Sequence, residues 1–367
     1  MVIEAKTKRI DADTHFTLPI DYKDLKDLLP RSQQAEAFDM MWRDAERWAN
    51  PNGVRAELTH EAGRGRGAGD PAVDAEARIV EMEKLGFDMQ VLNTQRALPA
   101  PLRPADKPLW LRAALAKLYN NAAADLQNRY PDRFLCHATF PWDDIEESVR
   151  EVERAHGLGL RMVTICGSWM DQNLDAYELY PFWEAVSSLD MACMVHNHTQ
   201  PCGGAILDHT TPYPMVGTER YHRLHLGTYL GFGLDYAVAC AALSLGGVLD
   251  EFPSLRFLFF EAGAGWMTYA MTGADRSFYI ERACARTNTP PSELIKKHCY
   301  TAIESIEHID ELVTAHGSEN FVIGTDFPHP EFQRLPNATT DITDRPGLKA
   351  QDKQNILGGN LARALKI

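Results

Sequence analysis

A chain of 367 residues, 45% of them hydrophobic, can bury a large core and suits one big α/β barrel or two ordinary domains. Its net charge of −14, from 37 basic and 51 acidic residues, comes with no basic run beyond Arg64-Gly65-Arg66, which argues against nucleic acid or an anionic membrane as partner. The seven cysteines are scattered and never spaced Cys-x-x-Cys, and the longest apolar run, Ala237 to Leu249, is too short and Gly-rich to span a bilayer, so a soluble cytoplasmic protein with buried thiols is expected.

Arg9 to Phe16 reads as the first strand. Strict alternation puts Asp11, Asp13 and His15 on one face and Ile10, Ala12 and Thr14 on the other. Three ionisable groups on the inside of a strand are costly to bury, and a bound cation is the commonest compensation; a solvated edge is the structural alternative. Thr17 to Pro71 follows as a long irregular insertion containing Trp42, Trp48 and the Gly- and Arg-rich loop His60 to Asp70, a surface lid or an oligomer contact. Asp74 to Gly86 has helical spacing (Ile79, Met82, Leu85) and leads to a second strand, Met89 to Asn93. Leu109 to Tyr130 is a long amphipathic helix closed by Pro131, and Phe134 to Phe140 a third strand.

Ile145 to His156 is helical, Leu160 to Ile165 a fourth strand, Tyr180 to Leu189 helical, and Met191 to His196 a fifth strand. A loop rich in His, Pro and Gly, about 197–233, precedes a small-residue helix, Tyr236 to Leu245. Leu255 to Glu261 is the sixth strand with a helix from Trp266; Cys299 to Ile303 is the seventh with a helix Ile306 to His316; Phe321 to Asp326 is the eighth; and Lys353 to Leu365 is the last helix. Apolar strands alternating with helices argue a parallel sheet buried on both faces, and eight such units argue closure into a single (β/α)8 TIM barrel over 1–367, with lid insertions at 17–71 and 197–233 over its mouth.

That architecture sorts the polar residues. Asp13 and His15 end strand one, His196 ends strand five, Glu261 strand six and Asp326 strand eight, all at the carboxyl rim where barrel enzymes place their chemistry. A lone terminal His or Asp is ordinarily a cap; five converging on one rim read as a site. Asn93 and His137 face the same mouth if the strand registers hold.

The chain resembles the amidohydrolase superfamily, in its amidohydrolase-related, aminocarboxymuconate-semialdehyde-decarboxylase-like branch. Ile10 to His15, Met194 to His196, Glu251 to Phe257 running on to Glu261 to Trp266, Gly324 to His329 and Ile356 to Asn360 carry the resemblance, in order and on strands one, five, six and eight. It implies that Asp13, His15, His196 and Asp326 hold a divalent metal. Two imidazoles and two carboxylates suit Zn2+, Mn2+ or Fe2+, and Asp326 can serve as ligand and base together.

Two positions depart from the family pattern. Asp13 stands where many members have a first His of His-x-His, which favours a harder metal, and Glu261 stands where the characterised decarboxylases carry a His as acid/base. Glu261 then either shuttles a proton or joins the metal ligands. With His329 the rim offers enough donors for two metals, which makes the chain similar also to the dinuclear Fe/Mn or di-iron oxygenases of the 2-aminoisobutyrate hydroxylase type; otherwise His329 orients Asp326. His198, His209, His222 and His225 in the loop after strand five, Trp266, and Arg161, Arg220 and Arg223 are weaker candidates for substrate contact. The leading expectation is non-oxidative decarboxylation or hydrolysis of a small carboxylate-bearing compound, with oxygenation the alternative and a silent supporting subunit of an active homologue the third. A homo-oligomer, or a hetero-oligomer with a homologous chain, is expected.

Overall fold

The computed structural model describes residues 7–18, 20, 22–49, 69–93, 107–169, 172–197, 230–329 and 337–367. β1 (Ile10–His15) leads through a 3₁₀ turn (Tyr22–Asp27) to α1 (Arg31–Ala49) and α2 (Ala75–Lys84). Then come β2 (Met89–Asn93), α3 (Leu109–Arg129), β3 (Phe134–Cys136), α4 (Ile145–Gly157), β4 (Met162–Ile165), α5 (Tyr180–Ser188) and β5 (Ala192–Val195). They are followed by α6 (Phe232–Leu245), α7 (Val248–Glu251), β6 (Phe257–Phe259), α8 (Gly265–Ile280), α9 (Pro291–His298), β7 (Cys299–Ile303), α10 (Ile309–His316) and β8 (Phe321–Ile323). α11 (Ala338–Thr343), α12 (Ala350–Gln354) and α13 (Asn360–Leu365) complete the order. Local chemistry sets several starts: Asp74 caps α2 by accepting from the Glu76 and Ala77 amides, and Asp144 caps α4 by accepting from Glu147.

Every pairing between these eight strands is parallel. β1-β2-β3 and β4 through β8 form two runs in sequence order, and the bridges Ala138 to Val163 and Thr14 to Phe327 join them into the expected closed barrel. Ile10, Val91, Met194, Leu258 and Val322 fill its interior, and Leu361 and Leu365 of α13 plug its amino-terminal end. The alternate residues, such as Leu92, Val163, Val195 and Phe259, pack outward against the helices. Each fully buried Leu, Val or Phe contributes about 1.5–3 kcal/mol, which is why these short strands suffice.

Four expectations need correction. The segment after β1 is not irregular over 22–49: Leu25, Leu29 and Ala37 bury against Leu111, Leu115 and Leu118 of α3, so tertiary contact fixes a helix there. The rest of that insertion, 50–68, and nearly all of 197–233 lie outside the described residues. The last helix is interrupted at Asn355–Gly359, because Gly358 runs so close to the Lys8 carbonyl that a Cβ would overlap it. Cys284 is exposed, whereas Cys136, Cys166, Cys193, Cys240 and Cys299 are buried thiols. Among the described residues no helix is long and apolar enough to cross a membrane.

The fourth correction concerns β1 itself. Asp11 pairs with Gln90 and Thr14 with Leu92, so one extra residue sits in β1 and the alternation changes phase. Asp11 therefore shares the outward face with Gln90, while Asp13 and His15 turn inward. Asp11 becomes a clasp between β1 and β8: its carboxylate accepts from the Thr325 amide at 3.0 Å, Thr325 Oγ1 at 2.7 Å and Gln90 Nε2 at 3.1 Å. Burial pushes its pKa up to about 7 against the pull of those bonds. Thr325→Val leaves this buried carboxyl short of a donor and is expected to cost about 1–3 kcal/mol in urea denaturation; an unchanged midpoint would show the clasp to be dispensable.

Candidate metal centre

The phase change in β1 delivers Asp13 and His15 to the barrel mouth, and backbone bonds lock them to the end of β8. The Asp326 amide donates to the Asp13 carbonyl at 2.8 Å, and the His15 amide to the Phe327 carbonyl at 2.6 Å. The His15 carbonyl accepts from the buried Arg78 guanidinium, which also lies over the Phe327 ring. Asp326, just beyond β8, and Glu261, just beyond β6, both adopt left-handed backbone, φ 58° and 64°. Such non-glycine conformations are strained and cluster at functional sites.

His196 follows β5 with its amide bound to the Ile165 carbonyl. Its Nδ1 donates to the Asn197 carbonyl at 2.8 Å, so Nε2 is the nitrogen turned to the site. Asn197 is itself pinned. Its amide donates to the Tyr236 hydroxyl at 2.9 Å, its Nδ2 donates to Asp235 at 2.8 Å, and its Oδ1 accepts from the Gly167 amide at 2.8 Å.

The expected residues converge. His15 Nε2 is 2.8 Å from Asp326 Oδ1, and His196 Nε2 is 3.2 Å from Glu261 Oε2 and 3.7 Å from Asp13 Oδ1. The His15 ring meets His196 edge-on at 5.2 Å and His329 at 4.4 Å. Asp13, His15 and His196 present ligand atoms all within 4.8 Å of one another, and so do His15, Asp326 and His329.

The electrostatics fit a cation. Burial first, and then the charge of Asp326, push the Asp13 carboxyl well above its usual range. Burial and the neighbouring His15 hold His196 well below its usual value. Two carboxylates crowded together with imidazoles in a buried site are unfavourable alone and favourable around a divalent ion. Asp13 Oδ1 is buried without a hydrogen-bond partner among the described residues, as a ligand atom would be.

Asn93 pairs with His15 and so faces the mouth; it is fully buried, and neither amide atom has a hydrogen-bond partner among the described residues. His137 turns into the mouth too, opposite in phase to Ala138, whose side chain joins the outer core. Trp266 donates Nε1 to the Gly263 carbonyl at 2.9 Å and packs its ring against Tyr236 and Phe259. Arg161 precedes β4, at the barrel end opposite the mouth, and contacts His156. His198, His209, His222, His225, Arg220 and Arg223 lie outside the described residues. Sequence reasoning missed Arg78, Asn197, Asp235 and Tyr236, whose roles come from long-range contacts that no local motif encodes.

The model of one protein family, described as amidohydrolase, matches residues 10–367. The chain belongs to the amidohydrolase family. Among curated relatives, a 2-amino-3-carboxymuconate-6-semialdehyde decarboxylase of Dictyostelium discoideum is 26% identical over 298 residues, spanning 78% of this chain and 75% of that protein. A gamma-resorcylate decarboxylase of Polaromonas is 24% identical over 309 residues, spanning 79% and 86%. Two solved amidohydrolase-like barrels share the fold. A dihydroxybenzoic acid decarboxylase of Polaromonas, with bound manganese and the inhibitor 2-nitroresorcinol, aligns with TM-score 0.67 and 19% identity over 98% of this chain and 97% of its own. A 5-carboxyvanillate decarboxylase of Novosphingobium aromaticivorans, complexed with manganese and 4-hydroxy-3-methoxy-5-nitrobenzoic acid, aligns with TM-score 0.69 and 20% identity over 99% and 97%.

Burial lowers His137 from 6.5 to about 4. Its folded pKa lies below its unfolded one, so it contributes stability that is present above about pH 6.5 and lost as pH falls towards 4. Thermal denaturation of the metal-free chain should therefore show His137→Gln flattening the pH dependence between those limits, and an unaltered slope would refute the assignment.

Proposed function

We propose that this amidohydrolase-family chain is a metal-dependent decarboxylase of a small carboxylic acid, hydroxybenzoate-like in class. The observation that carries the reading is the convergence of Asp13, His15, His196 and Asp326 in one buried cluster, with Glu261 at 3.2 Å from His196. The decarboxylases among its relatives favour this reaction over hydrolysis and over oxygenation.

Asp13, His15, His196 and Asp326 would hold the ion. When bound, it supplies Lewis acidity at a substrate oxygen, several kcal/mol of charge stabilisation. Manganese is favoured, because two carboxylates make a hard donor set and the two related structures hold that metal. One ion is favoured over two, because both candidate triads share His15. His329, donating its amide to the Asp326 carbonyl at 2.9 Å, then serves to orient that turn.

The protein's own groups handle the protons. Asp326 accepts a proton from an ionisable substrate hydroxyl, and Glu261, whose side chain is one-fifth exposed, delivers a proton to the carbon that bears the carboxylate. The carbon–carbon bond then breaks, its electrons stay with that carbon, and CO2 leaves. The Asn93 amide, without a hydrogen-bond partner among the described residues, suits a polar substituent of the substrate. The single-domain reading, with 17–71 and 197–233 as lids, belongs to the same proposal, as does an oligomer, for which the exposed Tyr269, Tyr279 and Ile280 of α8 offer an apolar face.

Elemental analysis of protein purified without added metal should give about one manganese, zinc or iron per chain. Two metals including iron would redirect the reading to oxygen chemistry, and none would overturn it. CO2 release from a panel of hydroxybenzoic acids identifies the substrate. On it, Asp326→Asn and Glu261→Gln should each lower turnover by about 10²–10⁴ with melting temperature preserved; near-normal turnover in either removes the role given to that residue.

A further inference from the structure

Glu307 lies in the turn between β7 and α10, away from every ligand candidate in sequence, and its side chain reaches back to the neighbouring unit of the barrel. Its Oε1 accepts from the Ala264 amide at 2.9 Å, and its Oε2 from the Glu304 amide at 2.8 Å. The Gly265 amide, at the start of the sixteen-residue α8, also binds this carboxylate. The chain between β6 and α8 is shaped around it. Gly263 has φ +60°, and a Cβ there would sit 2.7 Å from Glu307 Oε1, so the loop can approach the carboxylate only with glycine at that position. From the other side, the Gly263 carbonyl accepts from Thr301 Oγ1 and Trp266 Nε1, both at 2.9 Å.

Glu261 is two residues upstream in this same turn, left-handed at φ 64°. A strained non-glycine conformation persists only where its surroundings over-determine it. The bonds that do so for the loop converge on the Gly263–Ala264 peptide, and Glu307 supplies the charged one. We infer that Glu307 is a positioning residue, which fixes the loop after β6 so that the Glu261 carboxylate is presented to His196. Merely capping α8 would stabilise the helix without any dependence on Glu261, and that difference makes the inference testable.

The test is Mn2+ titration by calorimetry of the metal-free full-length protein and its Glu307→Ala, Glu261→Gln and doubly substituted forms. It rests on the metal-site reading, because the Glu261 carboxylate would favour a cation held beside His196. Glu307→Ala is expected to weaken Mn2+ about tenfold in the wild-type background and less than about twofold when Glu261 is already Gln. Glu307→Gln, which keeps an acceptor for the Ala264 amide, is expected to recover most of the affinity. An equal loss in both backgrounds, or no loss in either, overturns the inference. Hydrogen exchange of the amides of 261–265 in the metal-free protein decides it independently of the ion. Exchange should rise about tenfold or more in Glu307→Ala and much less in Glu307→Gln, and unchanged protection in both overturns the positioning role. A wild-type protein that binds no Mn2+ would count against the metal-site reading, while the exchange measurement still decides the role of Glu307.

Discussion

The crossing of the ends of β1 and β8 is the constraint on which the rest of the structure depends. It closes the barrel through the Thr14 to Phe327 bridge, and it brings Asp13 and Asp326 together by a direct backbone bond. The extra residue in β1 makes both possible. Without it, Asp11, Asp13 and His15 would all share one face of the strand; with it, Asp13 and His15 face the mouth while Asp11 turns outward to clasp Thr325 and Gln90. Closure of the fold and assembly of the site are one event, because the same few residues carry both.

The cluster at the mouth is a concentration of unfavourable terms. Asp13 and Asp326 repel one another, Asp13 and His196 are stripped of water, and Glu261 and Asp326 hold left-handed backbone. Proteins keep such groups only where surrounding structure enforces them and a ligand relieves them. Enforcement here comes from apolar layers on both faces of the strands and from polar clasps around the rim: Arg78 at the His15 carbonyl, Asn197 behind His196, and Glu307 beneath the turn that bears Glu261. Arg78 and Glu307 reach their targets from elsewhere in the chain, and Asn197, next to His196 in sequence, is itself held by the distant Gly167, Asp235 and Tyr236, so each rim residue gains a fixed direction from another segment.

Much of this was legible in the sequence. Apolar strands alternating with amphipathic helices identify a parallel barrel, since only burial on both faces allows uninterrupted apolar strands. Abrupt polar endings at Asp13, His15, His196, Glu261 and Asp326 mark the rim, because polar groups ending buried strands need a reason to be there. The helix Arg31–Ala49 was not legible, since its burial partner is α3, distant in sequence. The phase of β1 was not legible either, because a bulge is set by pairing with the neighbouring strand and leaves no mark in a period-two pattern.

By itself the sequence determined the fold class, the order of the units and the residue types gathered at the mouth, since hydrophobic period and the position of polar strand ends are local properties of the chain. Only the tertiary structure decided that Asp11 leaves the site, that His196 turns Nε2 towards it, and that Glu307 holds the turn of Glu261. These follow from register and from hydrogen bonds between distant segments, and such bonds acquire partners only once the barrel has closed.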